Sequence, residues 1–157
     1  MNRSLTAAAV LAVLLVTGCT ADTREGPTTA DPTLIGAELT MDVVLNDDGT
    51  VTVTAESNLP DGTELGASVF AEGVFNASDQ AVLQDGEAEF GPFSQKGSAL
   101  PAGAYDVSVT MPIARNQPDE VKAIIGEHGE NLTGAQVSTE DITGDAVVVT
   151  SEPLIIP

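Results

Sequence analysis

Leu100-Pro101-Ala102-Gly103-Ala104-Tyr105-Asp106-Val107-Ser108-Val109-Thr110-Met111 is the stretch on which the fold of this chain turns. Apolar side chains fall at Tyr105, Val107, Val109 and Met111, and polar ones at Asp106, Ser108 and Thr110. A period of two places one face in a core and the other in water, which is the pattern of a half-buried strand. Pro101 and Gly103 mark a turn just ahead of it.

The same period recurs upstream. From Ile35 to Leu45 the odd positions are Ile35, Ala37, Leu39, Met41, Val43 and Leu45, with Gly36, Glu38, Thr40 and Asp42 between them. Asn46-Asp47-Asp48-Gly49 supplies turn chemistry, and Val51, Val53 and Ala55 then alternate with Thr52, Thr54 and Glu56, which predicts an antiparallel hairpin. Ser57-Asn58-Leu59-Pro60-Asp61-Gly62-Thr63 interrupts the pattern before Leu65, Ala67, Val69 and Ala71 begin a third strand. Short runs at Ala81 to Gln84 and Glu87 to Phe93 flank the turn pair Asp85-Gly86.

Downstream, the region from Pro118 to Glu127 predicts one helix. Pro118 suits the first helical position, Asp119 and Glu120 suit the positive end of the dipole, and Val121, Ile124, Ile125 and His128 share a face. Asn131 to Asp145 is polar, and Ala146 to Thr150 with Leu154 to Ile156 reads as the closing strand or strands.

Glycine two residues before a tyrosine that opens an alternating strand resembles the tyrosine corner of immunoglobulin-like domains. By that likeness Gly103 and Tyr105 form a structural motif in which the phenol bonds back to the upstream backbone. Val107 stands at the place of the second cysteine of antibody domains and the chain has no tryptophan, so the antibody-type disulfide core is absent. Together with Asn58 to Thr63, the segment is similar to the Ig-like and prealbumin-like modules of bacterial surface proteins. The resemblance implies a mainly β domain, a single Ig-like antiparallel β-sandwich of about seven strands with one short helix near the C-terminal third. It says almost nothing about activity.

The N-terminus carries a different message. Met1 and Arg3 supply positive charge ahead of an uninterrupted apolar run from Ala7 to Val16. Ten helical residues span only about 15 Å, about half a hydrocarbon core, so the run reads as an export signal rather than a membrane span. Val16-Thr17-Gly18-Cys19 resembles the lipobox of bacterial lipoproteins. The resemblance implies cleavage before Cys19, recognition of Val16, Thr17 and Gly18 by the signal peptidase, and a diacylglycerol on the Cys19 sulfur, usually with acylation of the new amino terminus. Two acyl chains hold a protein on a bilayer far better than one. Thr20 to Thr33, with Pro27, Pro32 and no apolar period, reads as a tether. The expected organisation is therefore a signal peptide over residues 1–18, a lipidated cysteine and flexible linker over 19–33, and a β-sandwich over 34–157. The protein is expected to be exported and held by lipid at the bacterial cell membrane or outer membrane.

Charge and composition bound the function. From residue 34 onward there are 21 acidic residues and 3 basic ones (Lys96, Arg115 and Lys122), a balance of −18. Nucleic acid is excluded as a partner, since its binding rests on Lys and Arg replacing counterions. Cys19 is the only cysteine, so once lipidated it leaves neither disulfide nor thiol chemistry. No nucleophile elbow, zinc motif or phosphate loop is present. His128, the one histidine, reads as a packed or half-exposed imidazole. Asp47 and Asp48 sit in a turn and Glu140 and Asp141 in a loop, none with the spacing of a calcium loop. Phe70, Phe75, Phe90, Phe93 and Tyr105 are expected in the core, which leaves no aromatic platform for carbohydrate.

No cofactor is expected, with calcium across two loops left open. The expected function is a lipid-anchored envelope protein presenting an acidic Ig-like domain to another envelope protein or organising surface components. Two alternatives stand beside it: a calcium- or small-ligand-binding lipoprotein, and an enzyme with an unrecognised carboxylate site.

Overall fold

A computed structural model describes residues 33–157. Among them the chain forms, in order, β1 (Ile35–Gly36), β2 (Leu39–Leu45), β3 (Val51–Ser57), β4 (Glu64–Ala71), β5 (Phe75–Val82), β6 (Glu87–Phe93), β7 (Gly103–Met111), a 3-10 turn (Ala114–Asn116), α1 (Asp119–Ile125), β8 (Leu132–Thr133), β9 (Val137–Thr139) and β10 (Ala146–Ile156). Two sheets carry the fold. One has strand order β2-β3-β6, the other β5-β4-β7-β10-β9, and β1 pairs with β8 in a separate parallel pair.

Alternation drives this assembly. Val51, Val53 and Ala55 of β3, Leu65, Ala67 and Val69 of β4, and Tyr105, Val107, Val109 and Met111 of β7 all turn one way and are buried in one core with Phe90, Phe93 and Val148. Each valine, leucine, methionine or phenylalanine among them contributes about 1.5–3 kcal/mol when taken from water. The hairpin forms at the predicted place, with Leu39 opposite Ser57 and Leu45 opposite Val51. Consecutive strands β3 and β4 lie in different sheets, and β6 returns beside β3 while β7 returns beside β4. This is the Greek-key arrangement of an immunoglobulin-like sandwich, mainly β with a single α-helix among the described residues.

The strands depart from the sequence reading in detail. The run from Ile35 to Leu45 is two strands, because Ala37 and Glu38 break it: the Ile35 N–H goes to Asn131 O and the Ala37 N–H to Thr133 O, so β1 belongs with β8. The short run at Ala81 is the end of a full strand, β5, whose sequence Phe-Asn-Ala-Ser-Asp-Gln-Ala-Val hides its period behind alanines and an inward aspartate. The closing region, read as one strand or more, is one continuous strand, β10, that passes through Ser151-Glu152-Pro153. With β1, β8 and β9 added, ten strands stand where about seven are expected.

The helix is shorter than the sequence pattern suggests, Asp119–Ile125, with Pro118 as its cap and Gly126 (φ 95°) ending it. Val121 and Ile125 are buried while Ile124 is half exposed. His128 lies beyond Gly126 and so does not share the helical face. Phe70 is the other exception: it stands on the outer face of β4 and is 41 % exposed, whereas Phe90, Phe93 and Tyr105 fill the core.

Candidate functional site

The tyrosine at the start of β7 donates its phenolic hydrogen to Pro101 O at 2.8 Å, and its ring meets Phe75 edge-on at 6.1 Å. Gly103 opens the strand two residues earlier with its backbone near φ 158°. Burial pushes the Tyr105 phenol above its ordinary range, so it stays a neutral donor. The corner thus closes the end of the sandwich and leaves no reactive group behind. Val16, Thr17, Gly18 and Cys19 lie outside the described residues.

Two of the four carboxylates singled out by sequence, Asp48 and Glu140, have local work. Asp48 Oδ1 accepts from the Thr50 hydroxyl at 2.7 Å and the Thr50 amide at 3.0 Å, which hold its carboxyl below the usual range and tie off the β2–β3 turn. Glu140 Oε2 accepts from the Thr143 amide at 2.8 Å and shapes the loop between β9 and β10, and the Thr143 and Ile142 backbone keeps its carboxyl low. Among the described residues no three His, Cys, Asp or Glu side chains converge as metal ligands.

His128 is brought to a group that its spacing did not reveal. Its Nδ1 lies 2.7 Å from Asp145 Oδ1, and Arg115 Nε lies 2.6 Å from Asp145 Oδ2. Asp145 is fully buried, whereas the His128 and Arg115 side chains are 57 % and 42 % exposed. Burial alone pushes the Asp145 carboxyl up; the Thr143 hydroxyl, the His128 ring and the Arg115 guanidinium outweigh it and leave it below the ordinary range. Oδ2 has no hydrogen-bond partner, so Arg115 holds it by charge without an aligned N–H. An ionised carboxylate only accepts, so the His128 Nδ1 carries the proton of this bond.

A carboxylate that orients an imidazole is half of a general-base arrangement. Among the described residues no hydroxyl or thiol hydrogen-bonds to the ring's other nitrogen. What the cluster does join is structure: the 3-10 turn through Arg115, the segment after α1 through His128, and the start of β10 through Asp145. The Ala146 amide also donates to His128 O at 2.8 Å. Gly129 (φ 78°) sits so close beneath that a Cβ there would stand 2.5 Å from the Ala146 Cβ.

A concave site exists elsewhere, on the outer face of the three-stranded sheet. It is a groove of about 550 Å³ bounded by Glu38, Thr40, Glu56, Asn58, Asp85 and Glu87, among others. Strand register builds it: Thr40 of β2 faces Glu56 of β3, and Glu56 faces Glu87 of β6. Asn58 fixes one wall, taking the Glu38 amide on its Oδ1 and donating to Gly36 O, both at 2.8 Å. Ser57 adds a bond from its hydroxyl to Glu38 O at 2.7 Å.

Electrostatically the groove is uncompensated. Like charges directly opposite across a strand pair oppose folding, and Glu56 and Glu87 are such a pair. The ion pairs among the described residues lie elsewhere: Arg115 is engaged by Asp145, and Lys122 by Asp119 and Glu127. No family model, no curated protein and no solved structure matches the chain.

Proposed function

We propose that this protein is a lipid-anchored component of the bacterial envelope whose sandwich presents an acidic sheet face to a basic segment of another envelope protein. The observation that carries the binding half is the groove at Glu38, Glu56, Asp85 and Glu87, an acidic concavity with no cationic side chain paired to it in the described residues. Its carboxylates line a wall instead of converging on a point, which favours spread positive charge, as on a lysine- or arginine-bearing segment, over a single calcium ion. The anchoring half rests on Val16-Thr17-Gly18-Cys19 and the apolar run before it.

Two experiments separate the halves. Cys19→Ser in the full chain should abolish lipid labelling and release the protein from membranes, and retention after that change would sink the anchor. For the groove, oligolysine titrated into the full-length protein should raise its melting temperature in a saturable way that Glu56→Gln with Glu87→Gln weakens. An equal rise from calcium or from sodium chloride at matched ionic strength would count against a basic partner.

A further inference from the structure

Each sheet of a sandwich ends in edge strands whose unpaired N–H and C=O groups take on another strand unless something blocks them. One margin of this domain is bridged: β5 and β6 end their sheets there, and Asp79 of β5 accepts the Gly91 N–H of β6 on its Oδ2 at 2.8 Å. On the larger sheet's other edge, β9 covers β10 only from Ala146 to Val148. Beyond it the Val149 N–H turns away from β7, to Gln136 O, and backbone groups two residues apart in a strand point the same way. Pro153 belongs to that outward set and has no N–H to offer.

β2 is left open. It carries no proline and no lysine and pairs along one side only, with β3. The Asn46 N–H reaches Thr50 O across the turn, so the even positions of β2 face β3, while Leu39 turns its N–H and C=O the other way, onto the Gln136 side chain. Met41, Val43 and Leu45 share the direction of Leu39, and among the described residues no hydrogen bond is made to their outward backbone groups.

The surroundings of this edge are acidic. Asp42 stands on the outer face of β2 in a hollow of about 170 Å³ that adjoins the groove and shares Thr40 and Glu56 with it. On the inner side, Glu152 of β10 lies directly opposite buried Val107 and so belongs to the core-facing side of its sheet. It is nevertheless exposed, because the three-stranded sheet leaves that part of β10 uncovered.

We infer that the basic segment of the proposed partner binds as an extended strand added to β2, making the three-stranded sheet four-stranded. The inference rests on the acidic-face reading and supplies its geometry. Backbone bonds to Met41, Val43 and Leu45 hold the segment, and its side chains alternate between the two faces. On the outer face a lysine or arginine beside Asp42 pairs with it, and one beside Thr40 reaches past it toward Glu56, its registered neighbour on β3. On the inner face the segment lies beside Met41 and Val43, both half-buried. The occupant is a cationic strand and not a second copy, since a like domain brings its own −18 to an acidic edge.

The test titrates two peptides into the full chain at low salt: one of alternating lysine and threonine, and the same peptide with every backbone nitrogen methylated, which keeps the charge and removes the donors. The first should bind at least about tenfold more tightly in calorimetry. In hydrogen exchange of the unsubstituted protein it should slow the Met41, Val43 and Leu45 amides and leave those of β5 unchanged. Val43→Pro removes one outward donor and no bond to β3, so it should weaken the first peptide at unchanged melting temperature. No slowing at those three amides, or equal binding of both peptides, overturns strand addition and leaves the acidic face as a site read by charge alone. Binding of neither peptide overturns that reading, and this inference with it.

Discussion

At the scale of single residues, a carboxylate without solvent is tolerable only when its charge is met, and Asp145 is met from two sides by His128 and Arg115. Its folded-state value lies below the ordinary 3.8, so it stabilises the fold at pH above that value and loses the contribution as pH falls through the depressed one. Asp145→Asn should therefore lower the melting temperature at neutral pH. The gap from the parent protein should close as acid passes below about pH 4. A gap of constant size from pH 7 to pH 2 in thermal melts would mean that ionisation of Asp145 is not what holds these segments together. Tyr105 makes a simpler case: Tyr105→Phe leaves the Pro101 carbonyl without its donor and should cost about 1–3 kcal/mol in urea unfolding, with the slope unchanged.

Between elements, two glutamine side chains do what a strand would. Gln117, 3 % exposed, accepts the Glu64 N–H at 2.8 Å and donates to Glu64 O at 3.0 Å, closing the first residue of β4 as Gln136 closes the first residue of β2. Gln117→Ala orphans both backbone groups and should cost about 1–3 kcal/mol, with faster hydrogen exchange at the Glu64 amide. Unchanged protection there would remove the clamp from the account. Such contacts explain what the sequence could and could not disclose about elements. The β2–β3 hairpin and β7 are legible because branched apolar residues alternate with Thr, Ser and Asp over seven or more positions. β5 is not, because its inward positions are Phe75, Ala77, Asp79 and Ala81, too weak an apolar signal to stand out. The parallel pair of β1 and β8 joins residues about a hundred positions apart, and no local pattern specifies it. The groove is equally hidden, since Glu38, Glu56, Asp85 and Glu87 meet only once the register of β2, β3 and β6 is known.

For the whole molecule, charge is the dominant long-range term. Twenty-one acids against three bases in one small sandwich repel one another, and the compact state bears most of that cost. Screening should relieve it, so the melting temperature should rise with sodium chloride, steeply at first and then level once the Debye length falls below the spacing of neighbouring carboxylates. Glu56→Gln, which breaks the opposed pair with Glu87, should by itself raise stability by roughly 0.2–1 kcal/mol at low salt. A face that opposes folding by itself is the feature on which the proposed basic partner rests. The most direct measurement is photocrosslinking from Thr40, which lines the groove beside Glu56, in the full chain expressed in cells with the proposed anchor intact. The account predicts one reproducible crosslinked protein, contacted through a lysine- or arginine-bearing segment and lost when Glu56 and Glu87 are both changed to glutamine. No reproducible product, or one that survives those changes, would contradict it.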